Sequence, residues 1–582
     1  MVMVRKSLLN LGILLSYSLC LAEQATATGT TTEHPIPPYV DLPRQWLPDI
    51  PNLSSLPQKD VMSYMALDTT KPHKVVKPVK IGAIPQFTTD IALQIVENAR
   101  KAYDSGVWTN DYSLQDRIRA IKKVIKILEE QEQDKMAETL VWEIGKNWHD
   151  ARDEFQRTKK FIESLVEQLE NDPEFAGHWS TVSSVRAFRK RAAVGVVLAL
   201  APYNYPLNEC YATIIPALLM GNVVIVKIPT VGGLVHLHTM EAFRQALPKH
   251  TIQFLAGSGR ATMPPIMETG KIDMLSFIGG SSAADQLIHA HPHPHRLLTF
   301  LQLEAKNMAV VLPEVFEDGN ASLLEHTVKE ITAGTLTYNG QRCTATKIIF
   351  VPQTNAETFL EKLGLSIAKL MPVGFPYEQS PVPKVTPLPT KQRLAYMKEL
   401  LDDAVAKGAK IVNDGGGTVV GGEESTLMEP AVVYPVTSDM RLYHEEQFGP
   451  ILPVVPYKSL EQIEGFAAQS DFAQQVSIFG TDANAMKRLV DAWGSLYGKI
   501  NINGKPGRSP DHLAFSGRRS SAKGVMSVRD VLLEFSVPTI VAHNKDDSLS
   551  NGIVEELNRS TKFLQQPAVE ASEGTGTTQE EL

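Results

Sequence analysis

Apolar residues follow two periods along this chain, and the switch between them marks its organisation. Over 89–106 and 113–147 they recur at three- and four-residue spacing with charges on the opposite face, which predicts amphipathic helices. A third helix follows over about 151–170, its charge run a solvated face. At Arg191 the period changes. The stretch 192–202 (AAVGVVLALAP) reads as a fully buried strand, 208–220 as a helix and 223–226 as the next strand. Strand, helix, strand in that order implies a parallel sheet with right-handed crossovers. Strands at 251–256 and 274–278 continue it, so 191–300 reads as a doubly wound nucleotide-binding region.

A second alternating region begins near Leu301. Strands at 308–312 and 347–351 alternate with helices at about 320–337, 355–370 and 391–407, with Pro/Gly-rich breaks at 372–390 and 413–423. The segment 530–541 reads as a late strand added to a sheet edge, and 560–582 as disordered. The fold class is therefore α/β, a Rossmann-like doubly wound domain over 61–300 and an α/β domain over 301–500. Residues 501–545 return to the first domain.

Composition changes the picture at the ends. Arg5 and Lys6 precede an apolar run over 7–21 and a small residue, Ala22, the layout of a secretory signal peptide over 1–22. An uncleaved anchor or an incidental apolar start is the alternative. Residues 23–60 are Thr/Pro-rich, a linker or surface-draped arm, and 546–582 form a low-complexity tail. The terminal Gln579-Glu580-Glu581-Leu582 resembles a relaxed ER-retention signal. Together these suggest the secretory pathway and the ER lumen, with the cytoplasm or an organelle reached through the ER as alternatives. No other stretch is apolar enough to span a membrane once the leader is removed. A net charge of -8 without a long basic run argues against nucleic acid as a partner.

Of three cysteines, Cys20 lies in the leader and Cys210 in a core-like run. Cys343 sits in Tyr338-Asn339-Gly340-Gln341-Arg342-Cys343-Thr344, where Arg342 could stabilise a thiolate; a buried cysteine acting as a small hydrophobe is the plainer reading. His289, His291, His293 and His295 alternate with Ala and Pro, which breaks any ligand spacing, so no metal is expected. The run 381–389 (PVPKVTPLP) reads as a stiffened loop.

Five stretches in order resemble the aldehyde dehydrogenase superfamily: APYNYPLN (201–208), PALLMGNVVIVKIPT (216–230), SFIGG (276–280), NGQRCTATK (339–347) and EEQFGP (445–450). The chain is most similar to the non-phosphorylating, NADP-dependent glyceraldehyde-3-phosphate dehydrogenase branch, through Asn204-Tyr205-Pro206, Ile228-Pro229-Thr230, Gln341 to Ala345 and Arg508 to His512. The resemblance implies a cofactor domain, a catalytic domain and an oligomerisation ribbon from about 178–192 and 530–543, in a homodimer or homotetramer. It implies Cys343 as nucleophile and Asn204 with the Cys343 N–H as oxyanion donors. Lys227, Thr230, Gly279, Gly280, Glu446 and Phe448 would bind the cofactor. Because Thr230 stands where NAD-preferring members place a carboxylate, that cofactor is expected to be NADP. Tyr205, Arg342 and Arg508 would hold a substrate phosphate, the substrate being a small phosphorylated aldehyde.

One motif departs from the pattern. The family's Glu-Leu-Gly-Gly-Lys is here Gln302-Leu303-Glu304-Ala305-Lys306. Gln302 takes the general-base position, and an amide can hold a water without taking its proton. Strand alternation places Glu304 on the same side as Gln302, from which a register slip could bring its carboxylate to the site. A thiol or other nucleophile discharging the thioester is a third possibility, and a catalytically impaired nucleotide-binding descendant a fourth. Ala284 and Ala522 also stand where the family usually has Gly.

Overall fold

The computed structural model describes residues 35–564 apart from 44, 48, 51, 52, 72 and 73. The expected leader, residues 23–34 of the Thr/Pro-rich segment and the terminal tetrapeptide lie outside the described residues. Among those described, no helix is long and apolar enough to cross a membrane.

Two sheets carry the chain. The first has six strands in the order Ala522–Lys523, Leu298–Gln302, Met274–Ile278, Val196–Leu200, Val223–Lys227 and Ile252–Leu255. All pair in parallel except Ala522–Lys523. The second has seven: Lys410–Ile411, Ala431–Tyr434, Ile451–Tyr457, Ile348–Pro352, Met308–Val311, Gln475–Phe479 and Lys499–Ile502. It is parallel apart from Lys410–Ile411. Both of its faces are buried: Met308, Val310, Ile348 and Phe350 join one apolar cluster, Ala309, Val311, Ile349 and Val351 another. Burial on both sides explains why these strands read as continuous apolar runs. Leu298–Gln302 belongs to the first sheet, so the expected boundary at 300/301 falls inside a strand.

The helix 113–147 is in fact two, Leu114–Gln131 and Gln133–Ile144, broken at Glu132 with φ −126°. A capping box between Ser113 and Asp116 starts the first. The buried run 192–202 also divides. Its first two residues end the ribbon strand Val185–Ala193, and Val196–Leu200 starts the parallel sheet. The ribbon pairs Ser536–Asn544, Val185–Ala193 and His178–Val182. The strand Ser536–Asn544 starts later than the expected 530 because Ser527 caps a helix over Val528–Glu534 through the Asp530 N–H. Within the expected low-complexity tail, Ser548–Ser560 is helical and packs Val554 inward.

The Thr/Pro-rich segment is anchored where it is described. Val40 bridges Gly82, and Trp46 is buried with its indole N–H donating to the Phe254 carbonyl at 2.7 Å.

Candidate active site

The carboxyl ends of both sheets open onto one cleft of about 1210 Å³. Cys343 lies on a turn that leaves the helix Ala321–Leu336 through three consecutive left-handed residues, Tyr338 (φ 50°), Asn339 (φ 57°) and Gly340 (φ 70°). Such a turn persists only when its surroundings over-determine it. Tyr338 donates its hydroxyl to the Ile144 carbonyl at 3.1 Å, and Asn339 exchanges hydrogen bonds with the Thr386 backbone at 2.8 and 2.9 Å. A Cβ at Gly340 would meet the carbonyls of Gly449 and Thr335 at 2.7 and 2.8 Å. Beyond the cysteine, the Asn307 amide clamps the Cys343 and Ala345 carbonyls at 2.7 and 3.1 Å.

Asn204 reaches this loop from the neighbouring domain, its amide donating to the Gln341 carbonyl at 2.8 Å. One amide hydrogen remains for a ligand, and among the described residues the Cys343 N–H has no acceptor. Burial pushes the Cys343 thiol up to about 12, with Glu209 raising it further and Lys347 pulling it back. Arg342 and a Cys343 thiolate attract each other as expected, but burial outweighs that attraction. The Arg342 guanidinium is turned to the Gly334 carbonyl at 2.9 Å and is itself buried, so desolvation of the thiol dominates.

Gln302 is the last residue of its strand and lines the cleft with Cys343. It is 4% exposed, and among the described residues neither amide atom has a hydrogen-bond partner. Glu304 does not share its side by alternation, because the strand ends at Gln302. Instead both Glu304 carboxylate oxygens accept the Ser281 N–H, at 2.8 and 3.0 Å, at the start of the helix Ser281–Ala290. Helix N-termini favour negative charge, so the carboxylate is held there and its expected move toward the cysteine is opposed. Three of the other four cleft carboxylates are similarly engaged, while among the described residues the Asp471 side chain has no partner. Glu209 pairs with Arg508 at 2.9 Å, Glu445 with Arg441 and Tyr396, and Glu446 with Lys347 at 3.4 Å and the Ala305 N–H at 3.3 Å. Burial raises the Glu446 carboxyl despite Lys347.

Gly279, Gly280 and Thr230 line the cleft on the first sheet's side. Thr230 also borders a small recess with Lys227, whose buried Nζ donates to the Ile228 carbonyl at 2.6 Å. Phe448 sits in the left-handed region at φ 47°, its carbonyl held by Arg393 at 3.0 Å and its ring edge-on to Tyr203 at 5.8 Å.

Arg342 and Arg508 also line the cleft, with Arg157, Lys499 and Lys505. Arg508 also meets Asp511 at 3.2 Å, so two carboxylates share its charge. Tyr205 packs on the buried Lys146, whose ammonium lies 3.4 Å from its ring centroid. The sequence reading did not assign Lys347, Glu209, Lys146 or Arg157. Lys347 and Glu209 fell inside or beside quoted motifs, but their ion-pair partners, Glu446 and Arg508, are far away in the sequence.

A family model described as the aldehyde dehydrogenase family matches residues 64–541. The NADP-dependent glyceraldehyde-3-phosphate dehydrogenase of Streptococcus equinus is 30% identical over 456 residues, 77% of this chain and 90% of that protein. Its Arabidopsis thaliana namesake is 30% identical over 482 residues, 81% and 91% respectively. The crystal structure of NADP-dependent glyceraldehyde-3-phosphate dehydrogenase from Bacillus halodurans C-125 complexed with NADP superposes with a TM-score of 0.73 at 26% identity, covering 84% of this chain and 96% of that one.

Proposed function

The chain belongs to the aldehyde dehydrogenase family, and from that premise we propose that it oxidises glyceraldehyde 3-phosphate to the acid with NADP, using Cys343 as nucleophile. The observation that carries this reading is the meeting, in one cleft, of Cys343 and Asn204 with Arg157, Arg342 and Arg508. Relatives named for that reaction support the substrate and the cofactor.

The residues accommodate NADP at its ribose end, where Thr230 and Lys227 present no carboxylate to a 2′-phosphate. At the diphosphate end Glu304 holds the helix N-terminus, and the incoming phosphates must displace it. When bound, NADP supplies the acceptor for the hydride that leaves the substrate carbon.

The chain's own part is as follows. The thiol gives its proton to solvent and Sγ attacks the carbonyl carbon, giving a thiohemiacetal. Asn204 and the Cys343 N–H receive the developing oxyanion, each donor worth about a hundredfold or more in rate. Loss of the hydride leaves the acyl group on Sγ as a thioester. Gln302 can orient a water toward it but cannot accept the proton, and general-base help is typically worth about a hundred- to ten-thousandfold. Hydrolysis is therefore the slow step. Arg342, Arg508 and Arg157 suit a phosphate because guanidinium donors reach two oxygens at once.

Gln302 favours one second reading, transfer of the acyl group to a thiol, which can arrive as the thiolate and needs no base. NADP reduction measured with glyceraldehyde 3-phosphate, glyceraldehyde and simple aldehydes, with and without an added thiol, tests both. A kcat/KM preference for the phosphorylated aldehyde supports the substrate; none argues against it. Thiol-dependent turnover would select the transfer reading.

A further inference from the structure

The strand Gln58–Ser63 precedes the span matched by the family model. It runs antiparallel to Val79–Pro85, with Lys59 opposite Ile84 and Asp60 opposite Ala83. Side chains alternate across a strand, and here Asp60 turns to Lys80 at 2.7 Å. Lys59 faces the other way, lining the small recess that also takes in Ile84, Lys227, Thr230 and Gly257. Among the described residues the Lys59 side chain has no hydrogen-bond or ion-pair partner, and the Lys227 ammonium donates only to the Ile228 carbonyl. The Lys227 ammonium is pushed down to about 8, first by burial and then by the charge of Lys59. Two cations thus converge on Thr230 with no carboxylate between them, a repulsion that an anion would relieve.

We infer that Lys59, from a strand outside the family match, is a specificity-determining residue that reaches over the recess to the 2′-phosphate of NADP. The inference rests on NADP as the cofactor proposed above. NAD has a hydroxyl at that position and would gain little from a distant ammonium. Lys59 is exposed and contributes no core contact, so its replacement tests binding rather than folding.

Dissociation constants for NADP, NAD and adenosine 2′,5′-bisphosphate can be measured on the full chain by intrinsic fluorescence. Lys59→Ala should weaken NADP and the bisphosphate by about tenfold, the value of one charge-assisted contact, and leave NAD unchanged. Lys59→Arg should restore most of the loss. Equal weakening of NAD and NADP, or no weakening of either, would overturn the role of Lys59 while NADP binding by the native chain stood. A native chain that binds NADP no more tightly than NAD would overturn the cofactor assignment and this inference with it.

Discussion

Cys343 combines a strained turn with a thiol that burial raises to about 12. A thiol raised above its free value keeps its proton as pH rises, so the reactive thiolate is scarce near neutrality. Alkylation of the nucleotide-free protein by iodoacetamide should therefore accelerate about tenfold per pH unit from 7 to 10, read as Cys343 modification by mass spectrometry. A plateau near pH 8 would mean that the cations around the site outweigh burial. Glu304 makes a second prediction at this scale. Its carboxylate occupies the Ser281 N–H that a phosphate would take. Glu304→Gln should tighten NADP binding several-fold, whereas an unchanged or weaker dissociation constant would contradict the competition. The sequence placed Gln302 in the site and left Glu304 open. What it could not show is that the strand stops at Gln302, which frees Glu304 from the alternation rule.

At the level of elements, the start of the helix Asn208–Leu219 is fixed by a buried acid. Glu154 accepts the Leu207 and Asn208 N–H groups at 2.9 and 3.1 Å and pairs with Lys146, both side chains being almost fully buried. This pair holds the segment that carries Asn204 and Tyr205. Removing one member leaves an uncompensated buried charge, so Lys146→Met should cost about 3–5 kcal/mol in urea unfolding. Adding Glu154→Gln should recover part of that, because the amide still accepts backbone N–H bonds without a charge. A double variant no more stable than the single would show that packing, not charge, was lost. These elements were legible in the sequence where periodicity was regular, as over 89–104, or where an apolar stretch lay between two buried strands, as over 208–219. They were misread where a single cap decided the outcome. Ser527 turns 528–534 into helix ahead of the ribbon strand, and a break at Glu132 without Gly or Pro divides one apparent helix in two.

For the molecule as a whole, two parallel sheets and an antiparallel ribbon follow from the alternation of buried strands and amphipathic helices. The anchoring of the N-terminal segment does not, because among its described residues Trp46 is the lone deeply buried aromatic and the Thr/Pro-rich composition there reads as a linker or a surface-draped arm. The sheets bring the Cys343 loop, the Asn204 amide, Thr230, Gly279 and Gly280 to one cleft, where the position expected of the general base carries the Gln302 amide. The most direct test mixes the protein, at a concentration comparable to substrate, with NADP and glyceraldehyde 3-phosphate and follows NADPH from the first milliseconds. The native chain should show a burst of about one equivalent per Cys343 followed by slow turnover. Gln302→Glu should leave the burst and speed the slow phase by about a hundredfold. Rapid linear NADPH formation by the native chain, or no burst at all, would contradict the account.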